Sequence, residues 1–331
     1  MEFITFSDMQ YQVNQARSFT TASGISSWFQ MQLDITEQIF DYAKANGVYL
    51  IVHNGDLFED KNRINVKLYN KVWEFFKEKS KEGFVIYFNT GNHDLYSMKG
   101  EGSLKPFSDI VNVVNKPKDI AFNTRYKIRI IPYNQLNGNL QVDNNYYNIL
   151  FTHENIDVLT TSPLDIKIET PNKSQIFKEW DLVLNGHIHK PQEYKNIINI
   201  GSPCIQDWGE SGENKRFIHF KDKDIINILT RCPQFHTLDS LTPRIISKIK
   251  DDNYNYYRID ISSSEVSNPI FEKFNVSYRI VKTENKVLRL KESINPEEEL
   301  LEYINIKNES LDKNTLLKIG KSILERKELH V

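Results

Sequence analysis

At 331 residues the chain is longer than one compact core usually holds, so a large domain with one or two smaller units is expected. Hydrophobic residues make up 39% and aromatic residues 12%, yet no run approaches the roughly 20 consecutive apolar residues that a membrane span needs, which predicts a soluble protein with no membrane partner. The formal net charge of -2 excludes a global basic field, so any nucleic-acid contact has to be local.

The chain opens on MEFITFSD, which has neither the charged start nor the long apolar centre of a secretory signal. Cys204 and Cys232 are too few for a disulfide framework or a cysteine-based zinc site, and a reducing cytoplasm is the expected setting. Residues 2–7, 48–54, 84–89, 127–132, 147–152, 181–185 and 196–200 are short runs rich in Val, Ile, Phe and Tyr, and each predicts a strand. Helical periodicity fills 31–46 and 65–82, stopped by Gly47 and Gly83. Alternating strands and helices, followed by strands with shorter connections, predict an α/β fold of two packed sheets flanked by helices. From about 236 the texture turns polar, and a small α+β module is expected over 236–290 after a first domain over 1–235. Two short amphipathic helices are expected in 291–331, with apolar stripes at Leu300, Leu301 and Ile304, and at Leu316, Leu317, Ile319, Ile323 and Leu324. Stripes this short need something else to pack on, either the body of the chain or a partner helix.

The residues able to do chemistry stand where strands run out into loops, which is where open α/β sheets place ligands. Asp8 follows the first strand, Gly55-Asp56 the second, Gly91-Asn92-His93-Asp94 the third, His153 the fifth and Gly186-His187-Ile188-His189 the sixth. Singly, each has an ordinary explanation as a turn, a cap or a packed residue. His187 and His189 alternate along an extended segment and so share a face, a spacing suited to two neighbouring metals. The specific feature is five such groups in order at consecutive strand ends.

This ordered set resembles the motifs of calcineurin-like metallophosphoesterases. Residues 198–220 (INIGSPCIQDWGESGENKRFIHF) and GDLFED at 55–60 are similar to the SbcD nucleases within that superfamily, and the terminal helices are similar to the tail of phage recombination nuclease subunits. The resemblance implies two divalent cations, manganese above all with zinc or iron as rivals, bridged by Asp56. It implies Asp8, Gln10 and His189 on one ion, and Asn92, His153 and His187 on the other. His93 is implied as the acid that protonates the leaving oxygen; Asp94 joins it in the catalytic group as an orienting carboxylate, with a turn role as the alternative. One departure stands out: the family's first motif is Asp-x-His, whereas this chain has Asp8-Met9-Gln10, a weaker ligand for a transition metal. His53 is a nearby imidazole that could compensate, or a packed strand residue.

By the same resemblance the first domain is a DNA exonuclease or endonuclease unit, 236–290 a capping and DNA-binding module, and 291–331 the segment that engages an SbcC-like coiled-coil ATPase. A homodimer within that complex, in the host cytoplasm if the chain is phage-encoded, is also implied. Candidate phosphate contacts are Arg17, Lys61, Arg63, Lys215 and Arg216. Rival readings are a phosphoesterase for another ester, such as a protein phosphatase or cyclic-nucleotide phosphodiesterase, and a DNA-binding scaffold weakened by Gln10.

Overall fold

The computed structural model describes residues 1–13, 18–96, 102–121, 125–136, 140–161, 166–167, 172–252, 254–281, 312 and 315–320. By backbone contacts the chain divides into a unit of Met1–Asp260 with Ser267–Arg279, and a second of Ile261–Val266 with Ile280–Val331. In the second unit Ser262 and Glu265 cap one short turn, and residues 315–320 are helical behind Asp312, which accepts from the Thr315 amide. The rest of the two expected C-terminal helices lies outside the described residues.

The first unit follows the alternation expected of it. β1 (Glu2–Phe6), α1 (Ser27–Ala45), β2 (Leu50–His53), α2 (Val66–Lys81), β3 (Val85–Asn89) and β4 (Asn112–Val114) form the parallel half. Then come β5 (Lys118–Ala121), β6 (Tyr126–Ile131), β7 (Tyr147–Thr152), a small hairpin of β8 (Thr160–Thr161) and β9 (Ile166–Lys167), and the turn of helix α3 (Lys173–Ile176). β10 (Leu182–Asn185), β11 (Gln192–Tyr194), β12 (Ile197–Asn199), β13 (Arg216–Lys221) and β14 (Asp224–Leu229) complete the two sheets. One sheet runs β14-β13-β1-β2-β3-β4 and the other β11-β12-β10-β7-β6-β5. A third sheet holds β15 (Gln234–Leu238), β16 (Asn255–Ile261) and β17 (Val276–Ile280), with α4 (Pro243–Ile246) between its first two strands.

Strand alternation decides what each layer buries. Phe3, Leu50, Val52, Ile149, Phe151, Leu184, Ile218 and Phe220 point into one core shared by the two large sheets. Their neighbours Ile4, Phe6, Ile51, Ile86 and Phe88 face the other way, against Trp28, Ile35, Ile39, Phe40, Val72 and Phe76 of α1 and α2. On the far side of the second sheet, Leu150, Val183 and Ile197 meet Ile156, Phe177 and Trp180. Each large side chain fully buried in these layers contributes roughly 1.5–3 kcal/mol.

α1 begins at Ser27, four residues before the expected start at 31, because Trp28 and Phe29 extend its buried stripe by a turn. Gly47 and Gly83 stop the helices in left-handed conformation, as their positions predicted.

The two large sheets are also joined by a belt of buried amides at the carboxyl ends of their strands. Asn54, just past β2, donates to the carbonyls of Thr152 (2.9 Å) and Leu184 (3.0 Å) in the opposite sheet. Asn89 donates to Asn54 and to the Ile131 carbonyl, and Asn185 to the Asn199 side chain and the Glu154 carbonyl. Each such bond satisfies a polar group that would otherwise be costly to bury, and together they lock the edge from which the candidate loops leave.

Candidate metal centre

The loops after β1 and β2 lie side by side at that edge. Amides of Asp8, Gln10 and Tyr11 donate to the carbonyls of Gly55 (3.0 Å), Asp56 (3.1 Å) and Leu57 (2.8 Å). Along this zipper Asp8, Gln10 and Asp56 hold left-handed backbone (φ 55°, 47° and 58°), and His187 does so opposite them (φ 77°). A non-glycine residue in that region costs on the order of 1–3 kcal/mol, and such strain gathers at functional sites. Here the interstrand hydrogen bonds offset it and aim the carboxylates into the gap between the sheets.

Asp8, Asp56 and His153 are buried there together. His153 Nδ1 sits 2.7 Å from the Asn54 carbonyl, which accepts only, so Nδ1 carries a proton and Nε2 is the nitrogen turned toward the carboxylates. That Nε2 lies 3.2 Å from Asp56 Oδ2 and 3.8 Å from Asp8 Oδ1, fully buried and without a hydrogen-bond partner. The His187 amide reaches both Asp8 oxygens at 3.1 Å, and the His187 imidazole Nδ1 is 2.7 Å from Asn92 Oδ1. Among the described residues, Asp56, His153 and His187 each bring one ligand atom within 4.8 Å of the others. Oxygen and nitrogen donors converging on an orphaned imidazole nitrogen fit a divalent cation. Gln10 is buried beside them, its amide fixed to Asp56.

The electrostatics agree. Burial alone would push the His153 imidazole down, but the Asp56 and Asp8 carboxylates carry it up to about 10. Burial raises Asp8, whereas in Asp56 the neighbouring His153 outweighs burial and holds the carboxyl below its usual range. Burial and the nearby His153 take His187 down to about 3, a neutral ligand at any working pH. A cation must therefore displace the His153 proton. Uptake of the ion at His153 is expected to release about one proton at pH 7, and its affinity to climb as pH rises toward 10. Calorimetry in two buffers of different ionisation enthalpy measures this directly.

His93 stands next to the ligands without being one. Its amide donates to Asp56 Oδ1 (2.7 Å), and its ring Nδ1 is bonded to the Glu59 carbonyl, so Nε2 of this partly exposed ring is the atom able to meet a substrate. Asp94 makes the contacts of the turn alternative. Its carboxylate accepts from the amides of Asp56 (2.9 Å), Gly91 (2.9 Å) and Leu57 (3.0 Å), clamping the Asp56 loop from beneath. His53 packs edge-on between the rings of Phe6 (4.9 Å) and Phe88 (5.6 Å), a core position.

On the other flank, His189 Nδ1 is 2.7 Å from Glu210, a residue that sequence reasoning passed over. Burial would lower His189, but the Glu210 carboxylate carries it up to about 9. Twenty-one residues separate the two, so no local spacing could have flagged the pair. Glu210 also explains why Lys215 cannot serve as a phosphate contact: its ammonium is fully buried, 2.8 Å from both Glu210 and Glu213. Arg216 is likewise drawn inward, to Glu193 (2.9 Å) and the Asn199 carbonyl (3.2 Å). Removing one partner of such a buried pair leaves an uncompensated charge. Lys215→Met is expected to destabilise the fold by about 3–5 kcal/mol, read from the urea midpoint. Lys61 and Arg63 are exposed, as a backbone contact requires, and Arg17 lies outside the described residues.

Gly186 explains how the sheets approach so closely. A Cβ there would fall 2.2 Å from Ser7 Oγ and 2.6 Å from both the Asn54 carbonyl and His153 Nδ1. Gly186→Ala is expected to force the His153 and Asp8 loops apart and to abolish metal binding, which equilibrium dialysis would record. A cavity of about 200 Å³ bordered by Thr161, His187, His189 and Lys190 opens beside the centre. The larger groove along α1, about 850 Å³, is lined by other residues, so size alone does not mark the site.

Buried carboxylates and imidazoles gathered at the ends of two packed sheets make a site fitted to divalent ions, as a metallophosphoesterase requires. The chain belongs to the calcineurin-like phosphoesterase family, whose pattern it matches over residues 1–213. It is 23% identical over 201 residues to "Exonuclease subunit 1" of Enterobacteria phage T4, covering 57% of this chain and 58% of that protein. The chain thus spans little more than half the length of this curated relative. Among solved structures, a dimetal phosphatase from Danio rerio shares 9% identity over 70% of this chain and 96% of its own, with a TM-score of 0.45. The Pseudomonas putida nuclease MPE shares 13% over 69% and 72%, with a TM-score of 0.31. Neither likeness is close enough to bear on activity.

Proposed function

We propose that this protein is the nuclease subunit of a DNA-processing complex, hydrolysing phosphodiester bonds with manganese as its metal. The observation that carries the reading is a buried Asp56 whose two oxygens face His153 Nε2 (3.2 Å) and the His93 amide (2.7 Å); the likeness to a protein named as an exonuclease subunit supports DNA among phosphoesters. A pair of divalent cations supplies Lewis acidity, lowering the pKa of the attacking water and offsetting charge on the phosphate oxygens. Asp8, Gln10 and His189 would hold one ion, Asn92, His153 and His187 the other, with Asp56 shared between them. The chain's own part in the reaction is carried by His93: as water attacks and the bond from phosphorus to the 3′ oxygen breaks, Nε2 gives its proton to that oxygen. The Glu59 carbonyl keeps the ring turned for this transfer.

Lys61 and Arg63 hold the phosphate backbone, with Arg17 as a further contact. Residues 236–290 act as the capping and DNA-binding module, and 291–331 engage an SbcC-like coiled-coil ATPase, a role that suits short amphipathic helices in need of a partner surface. The complex contains two copies of this subunit and works in the cytoplasm, that of the host if the chain is phage-encoded.

Manganese-dependent digestion of linear duplex DNA, with and without the ATPase, tests the reading beside hydrolysis of a small phosphodiester. Cleavage of DNA that needs or is strongly enhanced by the partner supports it. Hydrolysis of the small ester with DNA left intact would point to another phosphoester as substrate, and silence in every assay to a scaffold subunit disabled at Gln10.

A further inference from the structure

Resting on the divalent-metal reading above, we infer that Glu210 is the positioning residue that makes the metal position of Asp8 and Gln10 usable, by fixing and strengthening His189 as its imidazole donor. The hydrogen bond of 2.7 Å between His189 Nδ1 and Glu210 Oε1 keeps the proton on Nδ1 and leaves Nε2 as the nitrogen that can face a cation. Glu210 is itself held rigidly. Its other oxygen accepts from the Gln206 amide (3.0 Å) and Lys215 (2.8 Å), and the side chain is almost wholly buried. Lys215 also donates to the His189 carbonyl (3.1 Å), so the histidine is gripped at ring and backbone by one network.

The partner of His189 differs in kind from those of the other imidazoles. His153 is oriented by a neutral carbonyl and His187 by a neutral side-chain amide, whereas His189 alone of these three has an anion behind it. An anionic partner makes an imidazole a stronger donor than a neutral one does. It stands behind the ligand that shares its ion with Gln10, a neutral oxygen donor weaker than imidazole. The strong ligand therefore compensates for the weak one within a single metal position.

Titration of the full chain with Mn²⁺ by calorimetry, for wild type, Glu210→Gln, Gln10→His and the double variant, tests this. Glu210→Gln is expected to weaken one of the two binding steps by about 10–100-fold and to leave the other unchanged. Adding Gln10→His restores that step, because a second imidazole relieves the dependence on His189; a merely structural role for Glu210 would not respond to position 10. Glu210→Asp, which withdraws the carboxylate from His189 but keeps its charge near Lys215, gives the same weakening if Glu210→Gln fails to fold. Unchanged affinities in Glu210→Gln beside two normal steps in wild type would overturn this inference alone, as would a loss that Gln10→His does not relieve. Wild type that takes up no Mn²⁺ would overturn the metal reading and this inference with it.

Discussion

His93→Ala is expected to lower turnover by about 10²–10⁴-fold, the range for losing a positioned general acid, while both metal ions still bind. The separation follows from how the residue is anchored. The backbone amide of His93 holds Asp56 Oδ1, and an alanine keeps that amide, so the metal-facing carboxylate stays in place. What disappears is Nε2, the nitrogen left over once Glu59 has engaged Nδ1. The loss should depend on the leaving group. A nitrophenyl ester, whose leaving oxygen needs no proton, is expected to suffer far less than DNA, and comparing kcat for the two substrates checks this. Equal losses on both would mean that His93 does not act as the acid.

The second large effect is expected at Asp56. Asp56→Asn keeps the shape and the acceptor for the His93 amide but removes the charge that faces His153 and the proposed cations. Charges about 4 Å apart at an effective dielectric near 20 interact by about 4 kcal/mol, so each ion is expected to bind about a thousandfold more weakly. The same substitution removes the main reason for His153 to hold a proton, so proton release on metal uptake should shrink along with affinity. Equilibrium dialysis and buffer-dependent calorimetry read the two effects separately. Loss of activity with normal affinity for both ions would show that Asp56 is not a shared ligand.

Much of this architecture was legible in the sequence, because the strands that carry the ligands are central, apolar and bounded by turn residues. Each of the seven expected strands corresponds to an observed one, and the groups at their ends converge. Two kinds of strand escaped. β4, β5 and β11 are three or four residues long and lie at sheet edges, where there is little buried surface to impose a pattern. β13 and β14, by contrast, are a hairpin pair of six residues each. They carry Arg216, His219 and Lys221, and Asp224 and Asn227, among their apolar residues, which blurs the alternation even though β13 is buried beside β1. The first turn of α1 hid in SSWF, whose aromatic pair reads equally as a loop anchor or a strand.

In the site, the positions of the proposed ligands follow from strand ends, but those of their supports do not. Lys215 and Arg216 were expected at the surface because such residues are rarely buried without partners. Their partners, Glu210 and Glu193, are five and twenty-three positions away and meet them only through the fold. Asp94 shows the same limit. A carboxylate beside the histidine proposed as the acid looks chemical until its three amide donors, two of them from the neighbouring loop, are seen.

The central claim is that two divalent ions are held together through Asp56. Electron paramagnetic resonance of the protein titrated with Mn²⁺ tests it most directly. Two ions per chain are expected, with an exchange-coupled dimanganese spectrum that Asp56→Asn abolishes. A saturated protein showing only isolated Mn²⁺ signals, or a single ion per chain, would contradict it.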